Sequence, residues 1–94
     1  MFYKFRILGC GSSGGVPRVG FGWGSCDPNN KKNRRLRCSL LVEKIFDTKK
    51  TTVLIDTGPD VREQLLQANV TNLDAVIYTH SHADHVHGID DLRT

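Results

Sequence analysis

Residues 75–85 read Ala75-Val76-Ile77-Tyr78-Thr79-His80-Ser81-His82-Ala83-Asp84-His85. The apolar start of this stretch predicts a β-strand. Directly after it come three histidines and one aspartate within six residues, and both residue types bind divalent metals. In a tight turn His80 and His82 can point to one side, while Asp84 and His85 point elsewhere. One loop can therefore supply ligands to two neighbouring metal ions.

The mixture of imidazole and carboxylate ligands favours a catalytic metal site over a structural one. Closed structural zinc sites are usually rich in cysteine, and this loop contains none. The alternative interpretation is a polar surface loop whose histidines occur by chance. The spacing of the four residues and their position directly after a strand argue against that alternative.

The four residues also match a family motif, H-x-H-x-D-H, in full. On this motif the sequence resembles the metallo-β-lactamase superfamily. The resemblance implies that His80 and His82 bind one metal ion, and that Asp84 and His85 bind a second. It also makes Asp84 the expected catalytic residue. The implied cofactors are two divalent ions, with zinc expected and manganese or iron as alternatives.

The resemblance also implies a fold class. It is α/β, the N-terminal half of an αββα sandwich, mostly β-strands with a short helix. Residues 1–94 would be a partial domain without its C-terminal half, which in the family supplies the remaining metal ligands. Half a sandwich exposes one apolar sheet face and an unpaired strand edge. We therefore expect this chain to self-associate or to pair with its missing half.

Composition indicates a small globular protein, with 38% hydrophobic and 24% charged residues in a chain of 94. No apolar run approaches the roughly 20 residues of a membrane span, and Lys4 and Arg6 interrupt any signal peptide. We expect a cytoplasmic protein with no membrane partner. Cys10, Cys26 and Cys38 are odd in number and lack a C-x-x-C pair, which predicts free thiols.

Periodicity predicts the remaining elements. Tyr3, Phe5 and Ile7 alternate with charged residues, which indicates a half-buried first strand. One helix is expected from Pro59 to Asn69, and its core-facing residues would be Val61, Leu65, Leu66 and Ala68. The predicted strands are 2–8, 39–45, 51–55 and a buried strand at 73–78. The second and third would form a hairpin through residues 47–50.

The glycine-rich segment Gly9–Gly15 follows the first strand and formally matches the G-x-G-x-x-G dinucleotide fingerprint. That fingerprint requires a helix to begin here, whereas Val16-Pro17 and further glycines follow. We reject a nucleotide-binding fold. The expected role is instead a flexible backbone that passes close to the metal centre.

A long loop is predicted from Val16 to Arg37. The segments Trp23–Pro28 and Asn33–Ser39 resemble an insertion in the cyclic-phosphodiesterase branch of the superfamily, which acts on ribose-type phosphate diesters. Some members bind a structural zinc here through several cysteines, whereas this loop offers only Cys26. The loop is basic, and Lys31 and Lys32 are expected to face solvent. A guanidinium binds phosphate oxygens at two points. At least one arginine is therefore expected to contact a substrate phosphate or to support the glycine-rich segment; the candidates are Arg34, Arg35 and Arg37.

Two further polar residues need an assignment. Asp56 ends the third predicted strand and could be a turn former or helix cap. The family resemblance favours a supporting carboxylate that bonds the outer nitrogen of a metal-binding histidine and fixes its tautomer. His87 lies beyond the motif, and we expect a polar residue at the start of the next helix and not a ligand.

The leading functional hypothesis for the intact protein is a metal-dependent hydrolase of phosphodiesters, with a bridging hydroxide between two ions as nucleophile. His85 in the last motif position favours a second metal, which points away from β-lactam hydrolysis. The partner would be a small phosphodiester, and the 94-residue form would be incomplete and inactive. Two alternatives stay open. One is an RNA-processing nuclease of the same superfamily, and the other is a non-catalytic, self-associating metal-binding module.

Overall fold

The structure is a computed structural model that describes residues 1–92. Its main elements are one mixed sheet and short helices. The strands are β1 (Phe2–Gly9), β2 (Ser39–Phe46), β3 (Lys49–Ile55) and β4 (Ala75–Ile77). The α-helices are α1 (Val61–Gln67) and α2 (Ala83–Val86), and short 3-10 turns span Lys31–Asn33 and Ile89–Leu92. The prediction of a mostly-strand chain with a short helix is confirmed.

The four strands lie in sequence order in one sheet. β1, β2 and β3 are antiparallel, and β4 adds to β3 in parallel. The predicted hairpin is present, but β3 begins at Lys49, so the turn contains only two residues, Asp47 and Thr48. Asp47 has a φ of 53°, a left-handed conformation that aspartate tolerates better than most residues.

A small core lies between the sheet and helix α1. Leu41 and Leu54 are neighbours on β2 and β3, and both pack against Val61 of the helix. All three side chains are buried. Removing each one from water stabilises the folded protein by about 1.5–3 kcal/mol. Partly buried apolar residues surround them: Leu8, Leu65, Ala68, Val70, Leu73, Val76 and Leu92.

Helix α1 differs in detail from its prediction. Its first residue is Val61, because Asp60 takes the N-cap position and Pro59 precedes it. Leu66 was expected in the core but is exposed, and Gln64 is buried in its place. The Gln64 side chain donates a hydrogen bond of 2.8 Å to the backbone oxygen of Arg37. This long-range partner explains a buried amide that periodicity could not predict.

The opposite face of the sheet carries apolar residues with no layer over them. Cross-strand pairing places on this face Phe5, Ile7, Leu40, Val42, Val53, Ile55, Ala75 and Ile77. Phe5 is 66% exposed, Ile7 71% and Ile77 54%. The predictions of a half-buried first strand and a buried last strand were therefore wrong. Both are edge strands whose outer residues have no partner layer among residues 1–92.

The segment between β1 and β2 is held by a few specific contacts. Its backbone pairs Gly11 with Arg37 and Val16 with Arg35. The atoms closest to Gly11 and Gly15 belong to residues 35–37, and those closest to Gly14 belong to Arg18. The expected close approach to the 80–85 loop is not seen at these glycines. Its close contacts are with the chain that leads into β2.

Gly58 makes the close approach to the 80–85 loop, since a methyl group on it would collide with Asp84 O. Thr57 N–H donates to His85 O at 2.7 Å, and Gly88 N–H donates to Thr57 O at 2.8 Å. A methyl group on Gly88 would collide with Gly58 O and lie 2.6 Å from Val61 Cγ1. The loop and the end of β3 can therefore pack this closely only because these positions lack a side chain.

Replacing Gly88 by alanine is expected to lower the free energy of unfolding by about 3 kcal/mol, because backbone would have to move. Urea unfolding of the full-length protein measures the change. Gly20→Ala is the control: Gly20 has a φ of 80° but no atom within 4 Å of an added methyl group. Its expected cost is about 1 kcal/mol, from backbone conformation alone. Equal costs for the two variants would contradict the steric explanation.

Candidate metal centre

Asp56 lies at the centre of the predicted site. It follows β3 with a φ of 68° and is only 3% exposed. Its carboxylate accepts hydrogen bonds from Thr79 N–H at 2.9 Å and from the Thr79 hydroxyl at 2.8 Å. A third contact joins Asp56 Oδ2 to Nδ1 of His85 at 2.6 Å. This is the contact that the predicted supporting role of Asp56 requires.

These contacts determine the protonation of Asp56. Burial by itself raises the pKa of its carboxyl group. The hydrogen bonds from the Thr79 backbone, from His85 and from the Thr79 hydroxyl together outweigh that effect. The pKa of Asp56 therefore lies below its ordinary value of 3.8. An ionised carboxylate can only accept hydrogen bonds, so His85 Nδ1 must carry the proton.

The lowered pKa predicts how stability depends on pH. A carboxyl group whose pKa is lower in the folded state stabilises the protein above its unfolded pKa, about 3.8 here. We expect the unfolding free energy contributed by Asp56 to be constant near neutral pH and to disappear as pH falls through the lowered folded pKa. Urea unfolding of the wild type and Asp56→Asn at several pH values measures this. The difference between the two should shrink below pH 3.8; a difference that grows there would contradict the prediction.

His85 and Asp84 each place one potential metal-ligand atom close to the other. With Nδ1 bonded to Asp56, Nε2 of His85 is directed toward Asp84, whose Oδ2 lies 3.3 Å away. Two ligands on a tetrahedral zinc, each about 2.1 Å from the ion, lie roughly 3.4 Å apart. The observed spacing therefore fits two ligands of one metal ion.

His80 and His82 form the other half of the cluster, and both are exposed. Their ring centroids are 4.5 Å apart with an interplanar angle of 84°. The His80 ring also lies 4.0 Å from the His85 ring. The structure thus brings His80, His82, Asp84 and His85 together at the end of β4. His80 and His82 precede helix α2, whereas Asp84 and His85 lie within it, because the helix begins at Ala83.

The donor set fits metal ions in part. Within residues 1–92, no group of three or more His, Cys, Asp or Glu side chains has the arrangement to hold one ion. The family resemblance gives each ion only two ligands from this loop, and a catalytic zinc usually has three from protein. The Asp84–His85 spacing therefore fits one pair of ligands, and further ligands would have to complete a metal site.

The predicted arginines divide into two groups. Arg37 is half-buried, and its guanidinium donates to Asp60 Oδ1 at 3.0 Å and to Ser13 O at 3.2 Å. It supports the glycine-rich segment, which is one of the two roles expected for these arginines. Arg34 and Arg35 are exposed and line a surface cleft formed by β1 and the basic loop, away from the motif residues.

Some parts of the site were missed or misplaced by sequence reasoning. Thr79 binds Asp56 through both its backbone and its hydroxyl, and nothing in the sequence except its place before His80 suggested a role. His87 was expected at the start of a helix but caps the end of α2.

The thiols Cys10, Cys26 and Cys38 are free and exposed. Among residues 1–92, no helix is long and apolar enough to cross a membrane.

Comparison with known proteins extends these observations. A family model described as a β-lactamase superfamily domain matches residues 51–94, which include most of β3, Asp56 and the whole motif. A crystal structure of a diphosphatase from the PhnP family is 42% identical to this chain, with a TM-score of 0.81. The match covers 98% of this chain and 35% of that one.

A more distant solved structure has the same fold. Zn²⁺-bound PqqB from Methylobacterium extorquens is 21% identical, with a TM-score of 0.66 over 98% of this chain and 34% of its own. A curated relative, an octanoyltransferase from Porphyromonas gingivalis, is 49% identical over 88 residues. That match covers 94% of this chain but only 17% of the relative. The chain thus spans about a third or less of each of these three proteins.

The chain corresponds to the N-terminal part of the metallo-β-lactamase fold. In sequence over residues 51–94, and in fold, the chain resembles the metallo-β-lactamase superfamily.

Proposed function

We propose that the protein containing this chain is a metal-dependent hydrolase that cleaves phosphoester bonds, most directly phosphodiesters, at a dinuclear site. The observation that carries the proposal is the spacing of His85 Nε2 and Asp84 Oδ2, 3.3 Å, with Asp56 bonded to the other nitrogen of His85. Carboxylate–histidine–metal arrangements of this kind are common in metal sites. Zinc is the expected ion, with manganese and iron as alternatives.

The residues of this chain would divide the work as follows. His80 and His82 would hold one ion, and Asp84 and His85 the second, with Asp84 also the expected catalytic residue. Asp56 would fix His85 with Nε2 unprotonated and available. When bound, the ions supply Lewis-acid catalysis and an activated water as nucleophile. The chemistry of the substrate is suggested by the 42% identical relative, which is named a diphosphatase.

The direct test is a hydrolysis assay on the full-length protein with bis(p-nitrophenyl) phosphate, an organic diphosphate and a thioester as separate substrates. We expect turnover of a phosphate substrate that is abolished by a chelator and restored by Zn²⁺ or Mn²⁺. Turnover of the thioester alone would refute phosphoester specificity. Bound metal with no turnover of any substrate would favour the metal-binding module instead.

An RNA-processing nuclease is the second candidate, and the exposed basic loop is the observation that favours it. Arg34 and Arg35 line a cleft together with Lys31, and a nucleic-acid backbone would bring phosphates to such a surface. Cleavage of single-stranded RNA should then weaken steeply with added salt, and Arg35→Ala should reduce the salt dependence. Salt-independent hydrolysis of small diesters would favour the first candidate. A substrate contact by either arginine stays a prediction.

The octanoyltransferase relative does not change this proposal. The chain corresponds to 17% of that protein, so its name describes a much larger polypeptide. The motif and the contacts of Asp56 with His85 and Thr79 support the chemistry proposed here.

The uncovered sheet face leads to a prediction about association. We propose that a further polypeptide segment, from the rest of the protein or from a second copy, covers Phe5, Ile7 and Ile77. Exposed apolar patches of this kind mark interaction surfaces. The 94-residue polypeptide alone is expected to elute as dimers or larger species in size-exclusion chromatography with light scattering. Ile7→Lys, in the middle of edge strand β1, should reduce association. A monodisperse, folded monomer of the unaltered polypeptide would contradict the prediction.

A further inference from the structure

Thr79 connects Asp56 to the first histidine of the motif. Its hydroxyl oxygen lies 2.8 Å from Asp56 Oδ2 and 2.9 Å from His80 Nδ1. Its backbone N–H donates to the other carboxylate oxygen of Asp56 at 2.9 Å. Thr79 is thus held by both oxygens of one buried carboxylate, and its hydroxyl is placed between that carboxylate and the His80 ring.

The direction of each hydrogen bond follows from counting protons. A carboxylate offers no proton, so the Thr79 hydroxyl must donate its single proton to Asp56. The same oxygen can then only accept a hydrogen bond from His80. Nδ1 of His80 must therefore carry a proton, and in the neutral ring Nε2 keeps its lone pair. A neutral imidazole without such a partner favours the opposite tautomer, in which Nε2 carries the proton.

His85 is fixed in the same tautomer by a shorter route. Its Nδ1 contacts the same atom, Asp56 Oδ2, directly at 2.6 Å. Asp56 therefore orients both rings, one directly and one through Thr79. The two rings lie side by side, with centroids 4.0 Å apart. In the proposed site they belong to different ions, so one carboxylate would prepare a ligand for each.

We propose that Thr79 is a positioning residue that relays the hydrogen bond of Asp56 to His80, so that Nε2 of His80 is unprotonated and available to a metal ion. The tautomer depends only on the contacts among Asp56, Thr79 and His80. Its consequence for metal binding rests on the proposed function.

The experiment compares wild type, Thr79→Val and Thr79→Ser in the metal-free full-length protein. Valine matches threonine in shape but lacks the hydroxyl, and serine keeps the hydroxyl without the methyl group. Long-range ¹H–¹⁵N correlation spectra near pH 8.5, where histidines are neutral, report the tautomer of each ring. A His80→Gln spectrum assigns the His80 signals. Thr79 is exposed, so neither variant should unfold the protein.

We expect His80 to be the Nδ1–H tautomer in the wild type and in Thr79→Ser, and to shift toward Nε2–H in Thr79→Val. Titration with Zn²⁺ alone should show about 10- to 100-fold weaker binding for the valine variant, with affinity restored by serine. A merely structural role for Thr79 would not move the tautomer signals.

Two results would overturn the relay: an Nε2–H tautomer of His80 in the wild type, or the same spectrum and Zn²⁺ affinity in Thr79→Val as in the wild type. A different result separates the two proposals. If valine shifts the tautomer but the wild type binds no Zn²⁺, the relay is supported and the proposed metal-dependent function fails.

Discussion

Replacing His82 by alanine is expected to lower kcat/KM for phosphodiester hydrolysis by roughly 1,000-fold. Loss of one ligand weakens the binding of its metal ion, and Lewis-acid stabilisation of several kcal/mol corresponds to a factor of this size. His82 is exposed and makes no side-chain capping hydrogen bond to helix α2. The variant should therefore lose metal and activity without losing metal-free stability. Steady-state kinetics, metal content and urea unfolding measure the three quantities.

His87→Ala is the matched control for His82→Ala. It removes the same side chain from the other end of helix α2, outside the motif. Its kcat/KM is expected to stay within about twofold of the wild-type value, since surface substitutions away from a site have small effects. If His82→Ala kept wild-type turnover, or if both variants lost activity equally, the assignment of the motif to the metal ions would be wrong.

Replacing Asp56 by alanine is expected to lower the unfolding free energy by about 3–5 kcal/mol, because each hydrogen-bond donor left without its partner costs about 1–3 kcal/mol. The Asp56 carboxylate is buried and accepts hydrogen bonds from Thr79 and His85. Its removal would leave the donors of Thr79 and His85 without this partner. The metal-binding loop should also lose order, because these contacts join it to β3. Urea unfolding of the full-length protein measures the cost.

Two control variants separate the contributions at Asp56. Asp47→Ala removes an aspartate with a similar left-handed backbone, φ 53°, in an exposed turn, and should cost about 1 kcal/mol. Asp56→Asn keeps the shape and the backbone preference but places its amide NH2 group against one hydrogen-bond donor. It should lower the unfolding free energy by about 2 kcal/mol. If Asp56→Ala cost no more than Asp47→Ala, the carboxylate contacts would contribute little to stability.

Local patterns in the sequence predicted much of the architecture. Alternation marked β1, and the polar residues after Ile45 marked the hairpin between β2 and β3. The motif marked the end of β4. These features depend on neighbouring residues in the chain, because side-chain direction in a strand and turn conformation are local properties.

Burial was predicted less well, because it depends on what covers each face. β1 has the pattern of a half-buried strand, yet its outer residues are exposed, since no second layer lies on that face among the described residues. Gln64 is buried and Leu66 exposed on the same short helix. The Gln64 hydrogen bond to Arg37 O spans 27 positions in sequence, and periodicity contains no information on such a partner.

The site shows the same division. Spacing predicted four candidate ligands in one loop, which the structure brings close together, and a resemblance placed Asp56 near them. Thr79 could not be assigned, because its role appears only when the end of β3 lies beside the end of β4. The same holds for Gly58 and Gly88, whose contact joins segments that are distant in sequence.

The most direct test of the account is the metal content of the full-length protein, purified without chelators and measured by inductively coupled plasma mass spectrometry. The account predicts about two divalent transition-metal ions per chain, which a chelator removes together with hydrolytic activity. A protein that contains no transition metal and keeps its turnover in the presence of a chelator would contradict the claim that these four side chains hold a pair of cations.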